Sequence, residues 1–200
     1  MAGSFGTTSP EYRRRLVVMV KAPRPGRVKT RLGRDIGMVP AAWWFRHQTR
    51  RLLRRLRDPR WELSLAVAPD FDPLHARVWP RLPRRHQGAG DLGDRMARVF
   101  RTTPPGPVVI VGADIPGMTA AHIMRAFRAL GSADVVLGPA PDGGYWLIGM
   151  RRQGAVGALF QGVRWSTPDA MADTVASLKG KRIAFVDVLS DVDVAADLEA

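Results

Sequence analysis

Four short segments of the 200-residue chain carry residue types able to handle phosphate and a hard metal ion. The first is Lys21-Ala-Pro-Arg-Pro-Gly-Arg-Val-Lys29-Thr30-Arg31-Leu32, where Lys21, Arg24, Arg27, Lys29 and Arg31 supply cations around Gly26. A phosphate-binding loop needs inward N–H groups, cationic side chains and a glycine that lets backbone approach closely. The segment is not a Walker A loop, because Gly-x-x-x-x-Gly-Lys-Ser/Thr is absent. An ordinary basic surface loop is the competing reading. The second segment is Val111-Gly-Ala-Asp114-Ile-Pro116. A hard Mg²⁺ or Mn²⁺ that bridges substrate phosphates takes one or two carboxylates and keeps several waters, so Asp114 is the candidate metal ligand. Its alternative role is to cap a turn.

The third segment, Gly138-Pro-Ala-Pro-Asp142-Gly-Gly-Tyr-Trp-Leu-Ile-Gly149, is either a plain hairpin turn or a shaped loop lining a pocket. In the second case Asp142 is a candidate general base or acceptor-binding group. The fourth is Gln87-Gly88-Ala-Gly90-Asp91-Leu-Gly93-Asp94-Arg95. There Gly88 and Gly90 let backbone approach a flat ligand, and the Gln87 amide can read a base edge. Asp91 and Asp94 read as helix-start residues. The acids Asp187, Asp191, Asp193 and Asp197 offer a further metal ligand or form a solvated end. Rival chemistries lack support. His47, His75, His86 and His122 have no metal-ligand spacing. Neither Gly-x-Ser-x-Gly nor a Gly-x-Gly-x-x-Gly after the first apolar run is present.

These segments must be held by regular elements. Leu16–Val20 is near-continuously apolar and predicts a strand buried on both faces. From Ala41 to Arg57 a helical period places Phe45, Thr49, Leu52, Leu53 and Leu56 on one side. Arg46, Arg50, Arg51, Arg54, Arg55 and Arg57 fall on the other, together with Trp43 and Trp44, which a neighbouring loop or a subunit contact could cover. Glu62–Ala68 alternates as a second strand. Pro69–Arg85, with four prolines, is expected to be mostly irregular. A helix capped by Asp91 runs to Arg101, Val108–Val111 is a strand, and a helix runs from Thr119 to Gly131. Val135–Leu137 and Tyr145–Gly149 are strands too closely joined for a crossover, so one is antiparallel. Thr167-Pro168-Asp169 starts a helix that Gly180 ends, and Ile183–Val188 is the last strand. The alternation predicts an α/β, three-layer domain with a mostly parallel, mixed sheet. Ligands of such sheets bind beyond the carboxyl ends of the strands, here after Val20, Val111 and Leu137.

Length and composition, 46% hydrophobic and 24% charged, fit one globular domain over residues 13–200 behind a disordered tail at 1–12. No apolar run is long enough to span a bilayer and there is no cysteine, so a cytoplasmic protein is expected. The formal charge is +13, yet 27 of the 31 basic residues are arginine, a usage typical of GC-rich coding. The charge is therefore not read as a nucleic-acid footprint, although it would steer an anionic substrate.

Taken in order, the segments resemble the small bacterial glycosyltransferase-A-fold proteins classed as a domain of unknown function. Some of those proteins are labelled arsenosugar-biosynthesis glycosyltransferases. The resemblance rests on Lys21-Ala-Pro…Pro25-Gly…Val28-Lys-Thr-Arg-Leu32, Gln87…Gly90-Asp-Leu-Gly-Asp-Arg-Met96, Gly112-Ala-Asp-Ile-Pro116, Gly138…Gly149, Phe160…Trp165-Ser-Thr and Asp191-Val-Asp…Asp197-Leu198. It implies a nucleotide-diphospho-sugar transferase fold, with Lys29 and Arg31 near nucleotide phosphates and Asp114 near Mg²⁺ or Mn²⁺. Many glycosyltransferases place Asp-x-Asp at the metal, whereas Gly112-Ala-Asp114 keeps only the second acid. The Lys-Thr-Arg-Leu signature is also similar to 2-phospholactate guanylyltransferases.

The expected function is metal-dependent glycosyl transfer from a nucleotide-sugar to a small-molecule acceptor. Asp142, Lys29 and Arg31 are the expected catalytic residues. Lys21, Gly26, Lys29, Arg31, Gln87, Gly88 and Gly90 are expected around the nucleotide. The alternatives are nucleotidyl transfer from a nucleoside triphosphate to a phosphorylated small molecule, and a non-catalytic nucleic-acid- or protein-binding module using the arginine helix. The sequence leaves an oligomer possible.

Overall fold

The centre of the protein is β1 (Arg15–Lys21), whose apolar residues point alternately to two packed layers. Leu16, Val18 and Val20 face one core, and Val17 faces the other. Burial on both faces requires hydrogen-bonded neighbours on both edges, because unpaired backbone groups there would be stranded from water. β2 (Glu62–Ala68) and β4 (Gly106–Val111) supply them, both parallel to β1. The computed structural model describes residues 12–153 and 156–198 of the 200. The expected tail lies, up to residue 11, outside the described residues.

Four further strands are β3 (Arg84–His86), β5 (Val135–Pro139), β6 (Tyr145–Arg152) and β7 (Ile183–Phe185). Together the seven form one sheet in the order β3-β2-β1-β4-β6-β5-β7. Of these, β6 alone runs antiparallel, against both β4 and β5. The five residues between β5 and β6 are too few for a crossover helix, which forces the reversal. The amino end of β6 therefore lies at the carboxyl edge of its neighbours. The hairpin holding Asp142 thereby joins the loops after β1 and β4.

Helices cover both faces. α2 (Met38–Arg55) and α5 (Ala120–Ala129) pack Phe45, Leu52, Leu53, Ile123 and Phe127 on one face. α4 (Leu92–Thr102) lays Met96, Val99 and Phe100 on the other, with Met171 and Val175 of α6 (Ala170–Ser177) beside them. The fold is thus the expected three-layer α/β sandwich. α4 opens on a capping box: Asp94 N–H donates to Asp91 Oδ1, and Asp91 N–H donates to Asp94 Oδ2.

Some local expectations need correction. The proline-rich stretch 69–85 is mostly irregular, as expected, but it also contains α3 (Leu74–Val78) and the start of the edge strand β3. β3 has no apolar alternation because pairing with Leu65–Val67 holds it, and exposed arginines suit a sheet edge. A short helix, α1 (Thr30–Ile36), stands where a loop is expected, and Gly37 joins it directly to α2. Trp44 is half-buried between two core clusters, whereas Trp43 is exposed. β7 ends at Phe185, three residues early, and the chain then turns back across the carboxyl edge.

Candidate active site

The loop after β1 ends at Lys29, which adopts a left-handed backbone (φ 45°, ψ 50°) just before α1. That conformation is costly for a residue with a long side chain and persists only where its surroundings over-determine it. The surroundings here are acidic. The Lys29 Nζ lies 2.6 Å from Asp114 Oδ2, 3.0 Å from Asp193 Oδ1 and 3.5 Å from Asp191 Oδ2. Its side chain is only 6% exposed, whereas the three carboxylates are 29% to 36% exposed. Arg31 Nη1 donates to Asp193 Oδ2 at 2.7 Å from the first turn of α1.

Each acid is placed by backbone. Asp114 leaves β4 between buried Ala113 and Ile115, with Thr49 of α2 donating to the Ala113 carbonyl. Asp191 and Asp193 arrive on the segment that follows β7. That segment is pinned to its neighbours by Leu189 N–H to the Pro139 carbonyl, Val192 N–H to the Asp114 carbonyl and Ala195 N–H to Asp35. Asp197 accepts from the N–H groups of Asp193 and Val194, so it shapes the turn. Asp187 pairs with Arg125 on α5 and takes no part in the cluster.

Two cations face three carboxylates, and the proton affinities follow. Burial alone would lower the Lys29 ammonium, but Asp114 and Asp193 raise it above its ordinary value. Burial pushes Asp193 up, and Lys29 with Arg31 more than offset this and lower it. Asp191 is raised: burial is the largest cause, Lys29 opposes it, and Asp114, Asp193 and Asp142 add to it. The least compensated negative charge therefore sits on Asp191, beside Asp114. Hard, oxygen-only donors short of positive charge are what Mg²⁺ or Mn²⁺ requires, so the donor set fits such an ion. Among the described residues no three acids or histidines surround one point at coordinating geometry; the carboxylates converge on the Lys29 ammonium instead.

The cluster forms one wall of a cleft of about 690 Å³. Lys21, Arg27 and Arg31 line it as cations, Met19, Phe45 and Leu92 as apolar surface, and Asp142, Ser166 and Thr167 complete the lining. Asp142 Oδ1 accepts the Gly144 N–H at 2.9 Å, which fixes the carboxylate over its own turn. Gly143 has φ +84°, and a Cβ there would collide with the Pro168 carbonyl. Its own carbonyl accepts the Met171 N–H of α6. The Asp142 turn and the start of α6 are therefore one packed unit, and only glycine fits at 143. Trp165 links that unit to α4 through Tyr145, Phe160 and the bare backbone of Gly93.

Sequence-predicted residues divide clearly. The structure brings Lys21, Lys29, Arg31, Asp114 and Asp142 to one cleft. Gly26 forms an exposed left-handed turn, and a Cβ added there would meet nothing within 4 Å. Gln87 is buried, and its amide nitrogen donates to the Val20 and Ala66 carbonyls, stapling the carboxyl ends of β1 and β2. Both its donors are thereby engaged in scaffolding. Gly88 N–H donates to Asp70, and a Cβ at Gly90 would clash with Asp94, so both glycines serve the turn into α4. Of that segment only Leu92 lines the cleft. Arg27, read in the sequence as one of the loop's cations, lines the cleft as well, and so does Ser166, a left-handed residue (φ 60°) that the sequence offers only within the Trp165-Ser-Thr motif, with no role of its own.

Comparison with known proteins gives this geometry its relatives. A crystal structure of a presumptive nucleotide-diphospho-sugar transferase from Desulfovibrio desulfuricans G20 matches with 32% identity and a TM-score of 0.84, over 94% of this chain and 85% of that one. The inositol-1-phosphate CTP transferase of T. maritima shares the fold at 13% identity and a TM-score of 0.59, over 94% and 91%. Rv0371c from Mycobacterium tuberculosis H37Rv, crystallised in complex with manganese, does so at 15% identity and 0.54, over 94% and 96%. No curated protein matches the sequence. The family described as "Uncharacterized protein conserved in bacteria (DUF2064)" matches residues 52–167, more than half of the chain, and the protein belongs to it.

Proposed function

We propose that the protein is a transferase that holds a nucleotide-activated substrate by its phosphates in this cleft and moves a glycosyl group from a nucleotide-sugar to a small acceptor. The observation that supports it most is the meeting of Asp114, Asp191 and Asp193 with Lys21, Lys29, Arg27 and Arg31 at the carboxyl edge of the sheet. A diphosphate leaving group needs positive charge around its oxygens. Lys21, Arg27 and Arg31 face the cleft and can supply it without rearrangement, the kind of preorganised electrostatics that lowers barriers most.

Asp114 and Asp191 would hold a divalent cation, which when bound supplies positive charge to the diphosphate as it departs. Lys29 holds the carboxylates together and fixes the entry into α1. Asp142 lines the same cleft, where it would orient an acceptor hydroxyl and take its proton as the new glycosidic bond forms. The anomeric carbon–oxygen bond to the diphosphate breaks, and a nucleoside diphosphate leaves.

One observation favours a second reading, nucleotidyl transfer to a phosphorylated small molecule. Position 112 is glycine, and a Cβ there would stand 3.0 Å from Asp114 Oδ1. The site thus offers one acid on the segment leaving β4 rather than two. Incubation with candidate nucleotides and acceptors separates the readings: free nucleoside diphosphate is expected, and pyrophosphate would replace the first reading with the second. A thermal-shift screen of nucleotides and nucleotide-sugars, with and without Mg²⁺ or Mn²⁺, is expected to identify the donor by a metal-dependent gain in stability. If no nucleotide stabilises the protein under any metal condition, both readings fail.

A further inference from the structure

We propose that the outer face of α2 is a docking surface for an anionic phospholipid bilayer. Between Ile36 and Arg57 the chain carries six arginines and no acid. Among the described residues none of the six forms an ion pair; Arg55 alone is tied down, donating to the Pro116 carbonyl. Elsewhere several exposed arginines do find acids, Arg24 with Asp72, Arg60 with Asp58, Arg125 with Asp187 and Arg164 with Asp173, while scattered ones such as Arg77, Arg81 and Arg101 form no ion pair among the described residues. What sets α2 and its end at Arg57 apart is the clustering of six arginines with no acid among them. It leaves a one-sign surface along a helix of 18 residues, about 27 Å long.

The same face carries apolar groups that the core does not use. At about 100° per residue, Val39, Trp43, Arg50 and Arg54 fall within one narrow sector opposite Phe45 and Leu52. Val39 is 55% and Trp43 58% exposed, and Trp43 stacks on His47 with ring centroids 5.5 Å apart. An exposed tryptophan beside an exposed valine at one end of an arginine row matches the chemistry of a headgroup interface. The indole sits at headgroup depth, the valine enters the acyl boundary, and the guanidinium groups meet lipid phosphates. A nucleic acid would use the arginines and could stack on Trp43, but it offers nothing to the exposed Val39, so a bilayer is the better complement.

The full chain would be sedimented with vesicles of phosphatidylcholine alone and with vesicles containing roughly one-third phosphatidylglycerol, at about 0.1 M and 1 M salt. Binding is expected only to the anionic vesicles at low salt. Arg50→Glu/Arg54→Glu is expected to reduce binding about tenfold or more, and Trp43→Ser several-fold. Arg81→Glu/Arg101→Glu, with the same net charge, is expected to change it less than about twofold. An equal loss in that control would show that binding follows net charge, and the proposal falls. It falls also if anionic vesicles bind no better than neutral ones, or if the α2 variants lose binding to RNA while vesicle binding is absent or unchanged. Circular dichroism melts of each variant guard against unfolding as the cause.

Discussion

Two groups of cations lie on consecutive helices and behave in opposite ways. At the start of α1, Lys29 is buried and within 3.5 Å of three carboxylates, and Arg31 shares one of them. Along α2 and its end at Arg57, six arginines have no acid partner among the described residues. Buried charges must be matched because removing one partner strands the other away from water. Solvated arginines need no match, since water and salt screen them. The contrast teaches that the chain's high net charge is not one property. The acid cluster at Lys29, two cations against three carboxylates, has a local deficit of positive charge inside a basic protein, and that deficit would suit it to receive a cation.

The largest effect should come from Asp114. Asp114→Asn is expected to reduce transfer by about 10²–10³-fold and to abolish the metal-dependent thermal shift, with little loss of folding stability. Turnover and melting of the same preparation would check both. Next is Lys29→Met, which leaves three acids facing one another. A loss of about 2–3 kcal/mol is expected in urea melts, discounted because the carboxylates are partly solvated, and Mn²⁺ should restore more stability than it adds to the parent protein. If Lys29→Met melts like the parent, the cluster is not the matched site described above. Gly143→Ala is expected to cost about 1–3 kcal/mol, since it combines a left-handed backbone with a clash against Pro168. Arg50→Glu/Arg54→Glu, at the unmatched face, should stay within about 0.5 kcal/mol of the parent.

The pH dependence sharpens the same contrast. Asp58, Asp72 and Asp134 are held at about 2 by hydrogen bonds from Arg60, Arg24 and Arg182. Each folded value lies below the ordinary 3.8, so each contributes stability that is present above about pH 4 and lost as pH falls towards 2. Asp191 has the opposite sign: its ionised form is disfavoured in the fold, and acid relieves that cost. Melting temperature should therefore hold between about pH 7 and 5 and drop below about pH 4. Asp191→Asn should raise it at neutral pH.

What the sequence disclosed depended on whether a feature was local. Val-rich β1, the Asp91 start of α4 and the short β5–β6 turn announce themselves within a few residues, and the shortness of that turn showed that one of the two strands is antiparallel, though not that it is β6. β3 and α3 were hidden because pairing to β2 and a proline-bracketed turn hold them, not periodic burial. α1 was hidden because Lys29 precedes it in a left-handed conformation without a side-chain cap. At the site, the loops of Lys29, Asp114 and Asp142 were legible from their places after strands. The convergence of Asp191 and Asp193 on Lys29 was not, since no local pattern records a contact across 164 positions. The Gln87 amide was visible, but its engagement by two strand carbonyls was not.

That long return of the chain has a consequence for synthesis. Lys29 emerges from the ribosome early, and Asp193, which it holds at 3.0 Å, follows 164 residues later. Until then the β1 loop lacks one of its anchoring acids, and closing so wide a loop is entropically slow. A growing chain can thus form β1, β2 and β4 as a sheet while its cleft still lacks a wall. The cluster around Lys29 is therefore completed late, and products truncated before Asp191 would lack two of its three acids.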